Sequence, residues 1–417
     1  MKRLVITNAN LYTPRGCQAL KGADMGNLLH IPQAAIVVED GVIVWVGSDS
    51  EMPMLDDSAD EEIYMDALGR AVIPGFVDSH THLVFGGYRP EEFGWRLKGD
   101  TYMSIMERGG GIQSTVNATR SMTEDEMVEK AEWFIEEMSR MGVTTVEAKS
   151  GYGLDTDTEL RMLRAIRRLA VDPDRSVDVA ATFLGAHAVP EEYKGRTAEY
   201  VSLIIDEMLP KAKGLAEFCD IFTEKNVFEL DDSRRLLAAA KEMGFKLKMH
   251  ADEIVPLGGA ELAVELGAVS ADHLLHVSDE GIRRLAKGST VATLLPLTAF
   301  ALKEPFAPAR KMIDAGCAVA LATDLNPGSC FSGSIPLTIA LACIYMGMSV
   351  EETLTALTLN GAAAIGRADK IGSIEPGKQA DILILHFDSI DSLPYYVGMN
   401  TVDCVIARGE VDSVIND

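Results

Sequence analysis

The sequence predicts an α/β protein: a closed, TIM-like (β/α)8 barrel with a small β-sandwich built from both chain termini. Three observations carry that prediction. Eight apolar runs of strand length alternate with helical patterns through the middle of the chain, which is the alternation of a parallel sheet, and eight such units close on themselves. β-Branched runs around turn residues fill the N-terminal stretch and return at the far end, and neither terminal piece is long enough for a stable sheet alone. Histidines and carboxylates stand just past the apolar runs, at the strand ends where such barrels carry their sites. The expected boundaries are 1–72 and 371–417 for the two parts of the sandwich and 73–370 for the barrel.

The N-terminal piece opens with Leu-Val-Ile-Thr-Asn-Ala from Leu4. Residues 34–47 hold two β-branched runs joined at Asp40-Gly41, a dipeptide that supplies the positive φ of a tight hairpin. At the other end, Asp381–His386 and Val402–Val411 read as strands. Between them the barrel runs are Ala71–Val77, Val143–Val146, Val177–Leu184, Ala216–Phe222, Phe245–Met249, Ala268–Ala271, Thr290–Leu295 and Ala318–Ala322. Thr123 with Glu126 forms a capping box for a helix that ends near Gly142. A second helix, Asp231–Met243, stops at Gly244, and Ser349 with Glu352 opens a third towards Leu359. An open doubly wound sheet is the alternative. It is weakened by the lack of a Gly-x-Gly-x-x-Gly turn after the first strand.

Composition narrows the function. A chain of 417 residues with 47% hydrophobic and 24% charged residues buries an ordinary globular core. A net charge of -25 argues against nucleic acid or an anionic membrane as partner, since both demand a basic face. The opening Met-Lys-Arg is followed by residues too polar for a signal peptide, and no apolar run approaches the roughly 20 residues of a membrane span. A cytoplasmic protein is expected. Its six cysteines are scattered with no Cys-x-x-Cys pair, so reduced core thiols are the reading, with Cys330 beside a glycine-rich turn the one alternative as a nucleophile.

Reading past each barrel run in turn gives His80 and His82, then Lys149 to Tyr152, His187, Glu224, His250, His273, a turn containing Pro296, and Asp324. Five of the eight histidines therefore fall at strand ends. His80 and His82, two apart on an extended backbone, project to one side. Three neutral imidazoles (His80, His82, His250) with the Asp324 carboxylate make a nitrogen and oxygen donor set that suits a hydrolytic metal with a position left for water, lowering that water's pKa to roughly 7. The competing reading of Asp324 is a helix N-cap. His273 suits a proton shuttle or a clamp on the attacking hydroxide. His187 suits either a substrate carbonyl or a substrate carboxylate, and Glu253 is a surface acid or a proton carrier facing a ring N–H. His30, His276 and His386 are read as structural.

The connection after the first strand runs from Val84 to about Ser121, too long for a routine barrel loop and therefore a lid or pocket wall. It carries Arg89, Tyr102 and Gly109-Gly110-Gly111. A guanidinium matches a carboxylate, and in so acidic a chain a basic group near the metal would recruit an anionic substrate.

The run Gly75-Phe-Val-Asp-Ser-His-Thr-His82 resembles the first strand of the amidohydrolase superfamily. More specific stretches resemble one of its families, the imidazolonepropionases of histidine degradation: Phe85–Phe93, Glu147-Ala-Lys-Ser-Gly-Tyr-Gly-Leu154, Phe183–Pro190, His250-Ala-Asp-Glu253, Val269–His273 and Ala322–Ser329. Gly377-Lys-Gln-Ala-Asp-Ile382 is a superfamily-wide signal. The resemblance implies a barrel of the amidohydrolase type and hydrolysis of 4-imidazolone-5-propanoate to N-formimidoyl-L-glutamate, with one zinc or iron ion on His80, His82, His250 and Asp324. It places the substrate on Arg89, Tyr152, His187, Glu253, Asn326, Gly328 and Ser329, with Tyr102 added from the long connection. It implies roles for His273 and Asp324 in moving the hydroxide proton, for His187 at the oxyanion and for Glu253 at a ring nitrogen. A homodimer is expected by the same analogy. Binuclear relatives use a modified lysine at the fourth strand; here the match favours Glu224 as the inward residue, beside Lys225. Two rivals stand next to this reading: a deaminase of a small nitrogen heterocycle, and a non-catalytic barrel used for assembly.

Overall fold

The computed structural model describes residues 1–414 apart from 57, 101–107, 109 and 173–174. Tyr102 and Gly109 lie outside the described residues. The N-terminal strands are β1 (Lys2–Thr13), β2 (Leu29–Glu39), β3 (Val42–Ser48), β4 (Glu61–Asp66) and β5 (Ala71–Pro74). The barrel follows as β6 (Phe76–Thr81), β7 (Val143–Lys149), β8 (Asp178–Ala186), β9 (Phe218–Thr223), β10 (Lys246–Ala251), β11 (Ser270–His273), β12 (Val291–Leu294) and β13 (Val319–Leu321). The chain ends with β14 (Ile382–Leu385), β15 (Val402–Ala407) and β16 (Glu410–Val414).

The terminal strands do pair. They form one hydrogen-bonded path in the order β16-β15-β14-β5-β1-β2-β3, with β4 alongside β1. This sheet bends back on itself. Ile36 and Ile43 from one end share a core with Cys404 and Ile406 from the other, and Lys2 meets Glu410 at 2.9 Å. The hairpin at Asp40-Gly41 turns as its sequence predicts, with φ of 46° and 80°.

The eight barrel strands run in order, each parallel to its neighbours. Closure comes from the segment just past β13: Asp324 N donates to His80 O at 3.0 Å and His82 N to Leu325 O at 2.9 Å. The first apolar run is divided where the sequence suggested one strand. Gly75 N donates to Asp381 O, whereas Phe76 N donates to Gly142 O, so β5 belongs to the terminal sheet and β6 to the barrel. A side chain at position 75 would meet Thr144 Oγ1 at 2.3 Å, which is why the change of partner falls on a glycine.

Apolar packing between strands and outer helices accounts for the main core. The helix Glu124–Arg140 starts at the expected Thr123/Glu126 capping box and buries Met127, Ala131, Phe134 and Met138 on one stripe. Ser349 and Glu352 cap Val350–Leu357, which gives way to a separate helix Leu359–Ala364. That last helix packs with Val77, Ala180 and Phe218 against the lower barrel. Among the described residues, no helix is long and apolar enough to cross a membrane.

Candidate metal centre and active site

His80 and His82 leave β6 on the same side, both buried. Across the barrel mouth, the His250 Nε2 lies 3.3 Å from His82 Nε2. Asp324 completes the group. Its backbone is in the left-handed region, with φ of 56°, uncommon for a residue with a side chain. Its Oδ1 stands 3.6 Å from His80 Nε2 and 3.5 Å from His82 Nε2, while Oδ2 accepts from Thr298 Oγ1 at 2.6 Å. Ligand atoms about 2.0–2.2 Å from a tetrahedral cation stand about 3.4 Å apart. The three spacings of 3.3, 3.5 and 3.6 Å fall close to that value, and His80 is shared by two donor trios, one with His82 and His250 and the other with His273 and Asp324. His80 Nε2 is also buried with no hydrogen-bond partner, the condition of a donor atom waiting for an ion. The helix-cap reading of Asp324 is excluded by where its carboxylate points.

Electrostatics agree. Burial, reinforced by Lys149 for His80 and by His187 for His82, holds both imidazoles well below their usual range and therefore neutral. Burial also pushes the Asp324 carboxyl up to about 6, against the Thr298 hydrogen bond. Burial opposes protonation of His250, but Asp220 outweighs it and raises that imidazole. A cation would reverse both of the last two shifts.

A cavity of about 440 Å³ opens above these residues, and Arg89, Tyr152, His187, Glu253, His273, Asn326, Gly328 and Ser329 all line it. Arg89 comes from the long first connection, which is helical over Pro90–Leu97 and Ile112–Ser121. Its guanidinium is 2.9 Å from Glu92. His187 Nδ1 is 3.0 Å from Gly151 O, and a carbonyl only accepts, so Nδ1 carries the proton and Nε2 faces the cavity as an acceptor. Burial, with His250 adding to it, lowers this imidazole to about 3. A neutral His187 therefore receives an N–H; the expected donation to an oxyanion does not suit this tautomer. Glu253 Oε2 lies 3.5 Å from His273 Nε2, and burial, reinforced by Asp324, pushes its carboxyl up to about 8. Burial holds the Tyr152 phenol well above its usual range, so it stays an O–H donor.

Asn326 has a different task from direct contact alone. Its Oδ1 accepts from the backbone of Gly328 and Ser329 at 2.9 and 2.7 Å, shaping the loop over the pocket. Glu224 accepts from Ile254 N at 2.9 Å and Val255 N at 3.4 Å, bracing the chain after His250. Lys225 is exposed and turned away, which removes it as a bridge for a second ion. The Cys330 thiol is buried and pushed up by that burial, unsuited to a nucleophile. His30 stacks on Tyr12, and His386 lies by Asp403, both within the terminal sheet.

The sequence reading missed the residues beneath the histidines. Asp272 Oδ2 is 2.7 Å from His80 Nδ1, and Asp220 Oδ2 is 3.1 Å from His250 Nδ1. Both are buried. The available signal was a carboxylate inside an otherwise apolar strand, Phe218-Cys-Asp-Ile-Phe.

Comparison with known proteins gives the same answer. The model of the amidohydrolase family matches residues 71–411. Imidazolonepropionase of Phocaeicola vulgatus is 62% identical, covering 98% of each chain, and that of Clostridium tetani is 56% identical, covering 98% of this chain and 97% of its own. Among solved structures, a triazine hydrolase from Arthobacter aurescens superposes with a TM-score of 0.75 at 18% identity, covering 100% of this chain and 97% of its own. An adenosine deaminase from Xanthomonas campestris with bound zinc gives 0.67 at 19% identity, covering 99% and 93%. Those two likenesses concern the fold. The near full-length matches to curated relatives go further: the chain belongs to the amidohydrolase family and, within it, to the imidazolonepropionases.

Proposed function

We infer that this chain hydrolyses the ring carbon–nitrogen bond of 4-imidazolone-5-propanoate, releasing N-formimidoyl-L-glutamate in histidine degradation. The observation that carries the reading is the meeting of two donor trios that share His80, namely His80, His82 and His250, and His80, His273 and Asp324, on the floor of a pocket that also presents Arg89. A zinc or iron ion held by those four residues supplies a Lewis acid for the ring carbonyl and a water of lowered pKa.

The chain's own groups do the rest. Arg89 offers a fork for the propanoate, exchanging Glu92 for the substrate carboxylate. His187 accepts a ring N–H at Nε2, which turns the ring and sets its carbonyl towards the floor. Tyr152 donates through its phenol. Asp324 and His273 take and relay the proton lost by the attacking water. Burial pushes the Glu253 carboxyl up, so its acid form can pass a proton to the leaving ring nitrogen, as a general acid must. Gly328 and Ser329, held by Asn326, close the loop side of the pocket. The division 1–72, 73–370 and 371–417 is carried forward with its first boundary moved to Gly75, where β5 of the terminal sheet gives way to β6, as is a homodimer. So is a cytoplasmic location, which suits six free cysteines.

Metal analysis of purified protein beside an ultraviolet assay of imidazolone consumption tests the assignment. One zinc or iron per chain with ring opening and no ammonia is expected. Ammonia release from an aminated heterocycle, with no ring opening, would transfer the chain to the deaminases. His250→Ala should lose metal and activity together; a variant that keeps one tight metal equivalent would strike His250 from the ligands.

A further inference from the structure

Beneath the histidines lies a cluster of charge that the proposed reaction does not use. Lys149, at the end of β7, is completely buried. Its Nζ is 2.8 Å from Glu147 Oε1, 2.8 Å from Asp220 Oδ2 and 4.0 Å from Asp272 Oδ2. Lys248 adds a second ammonium, 3.6 Å from Asp272 and bonded to Ser270 Oγ at 2.7 Å. Glu147 is anchored in turn by Thr182 Oγ1 and, at 3.3 Å, by Thr81 N.

We propose that Lys149 is a positioning residue of the metal centre, holding in place the Asp220 and Asp272 carboxylates that fix the ring direction and tautomer of His250 and His80. The geometry argues for it. A histidine ligand must turn a bare Nε2 to the ion, so its proton belongs on Nδ1 and needs an acceptor. Asp272 bonds to His80 Nδ1 at 2.7 Å and Asp220 stands 3.1 Å from His250 Nδ1, on two separate strands, and Lys149 is the one cation within ion-pair distance of both carboxylates among the described residues. Structural economy does not explain the cluster, because a buried ion network is rarely more stable than apolar packing of the same volume. Its place does explain it: the cluster stands directly behind the Nδ1 atoms of the two histidines.

The inference rests on the metal reading above, and its test separates the two. Zinc affinity is measured by competition with a chromophoric chelator, together with the visible spectrum of the cobalt-loaded protein and the melting temperature of the metal-free protein. Lys149→Met is expected to weaken zinc at least about tenfold and to shift the cobalt bands. Should that variant not fold, Glu147→Gln with Lys149→Met restores the charge balance. This double variant is expected to melt near the wild type yet still bind zinc weakly. Glu147→Gln alone, which leaves Lys149 on Asp220, is expected to stay within about twofold of wild type, well short of the roughly 10- to 100-fold loss foreseen for a lost outer-shell partner. A folded double variant with wild-type zinc affinity and cobalt spectrum would overturn the role of Lys149, as would an equal loss in Glu147→Gln alone. Wild-type protein that binds no zinc would instead overturn the metal reading itself.

Discussion

Arg89 and Glu253 divide the work of the pocket into binding and proton transfer, and each makes its own prediction. Arg89 sits away from the four ligating atoms and pairs with Glu92. Truncating it to Ala removes a charge-assisted contact to the propanoate, a loss of about 1.5–3 kcal/mol. Steady-state kinetics should show KM raised on the order of 10- to 100-fold with kcat nearly kept. Glu253 predicts a pH effect. Burial, with Asp324, raises its carboxyl to about 8 in the metal-free chain, and a nearby cation draws it down. The acid form exists below that value and is lost above it, so kcat/KM should decline on the alkaline side, with a midpoint at or below about pH 8. Glu253→Gln should be slow and should lack that limb. An unchanged limb in the variant would assign it to another group.

At the scale of elements, the pocket wall depends on how the first connection is tied down. Lys130, on the helix Glu124–Arg140, reaches over to bond Gly87 O at 2.7 Å, with its Nζ 3.9 and 3.7 Å from the Phe85 and Tyr88 ring centres. Gly86 leaves no room for a side chain there, since a Cβ would lie 2.3 Å from Thr119 N. The turn carrying Arg89 is thus clamped from outside the pocket. Lys130→Met keeps the apolar stem but gives up a cation–π contact of about 0.5–2 kcal/mol. A several-fold rise in KM, with faster amide exchange at Gly86 and Gly87, is the expected result. Exchange at the wild-type rate would show that the clamp is not needed.

For the whole molecule, the joint between terminal sheet and barrel centres on Asp381. Its carboxylate receives Arg408 N and Gln379 Nε2 at 3.0 Å each, and its carbonyl receives Gly75 N. Burial lifts this carboxyl to about 7, with the Arg408 backbone bond opposing. A folded-state pKa above the unfolded value of about 3.9 means that the folded form holds the proton more tightly. The stability it gives is present below about pH 4 and is lost as pH rises towards 7, by a few kcal/mol at most. Asp381→Asn, already neutral, should gain on the wild type in urea unfolding between pH 5 and 8. A constant difference across that range would show that Asp381 is ionised throughout.

Much of this architecture could be read directly from the residues. Seven of the eight apolar runs became barrel strands and the first divided between β5 and β6, because a period of burial is a local property of sequence. His80, His82, His250 and Asp324 were legible through their place after those runs. Ala71–Val77 was less so, since the choice of partner on either side of Gly75 depends on Asp381 and Gly142, far along the chain. Asp220, Asp272 and Lys149 were hidden for the same reason. A charged residue in a strand reveals its partner only when strands from different parts of the chain are brought side by side.

By itself, then, the sequence determined the alternation of strand and helix, the joining of the two termini, and which side chains can carry hydrolytic chemistry. Tertiary structure alone decided which nitrogen of His187 faces the pocket, that Lys225 turns outward, and that one buried ammonium serves carboxylates beneath two histidines. The reason is physical: hydrophobic period and capping are settled by neighbours in the chain, whereas tautomer, ion pairing and burial are settled by neighbours in space.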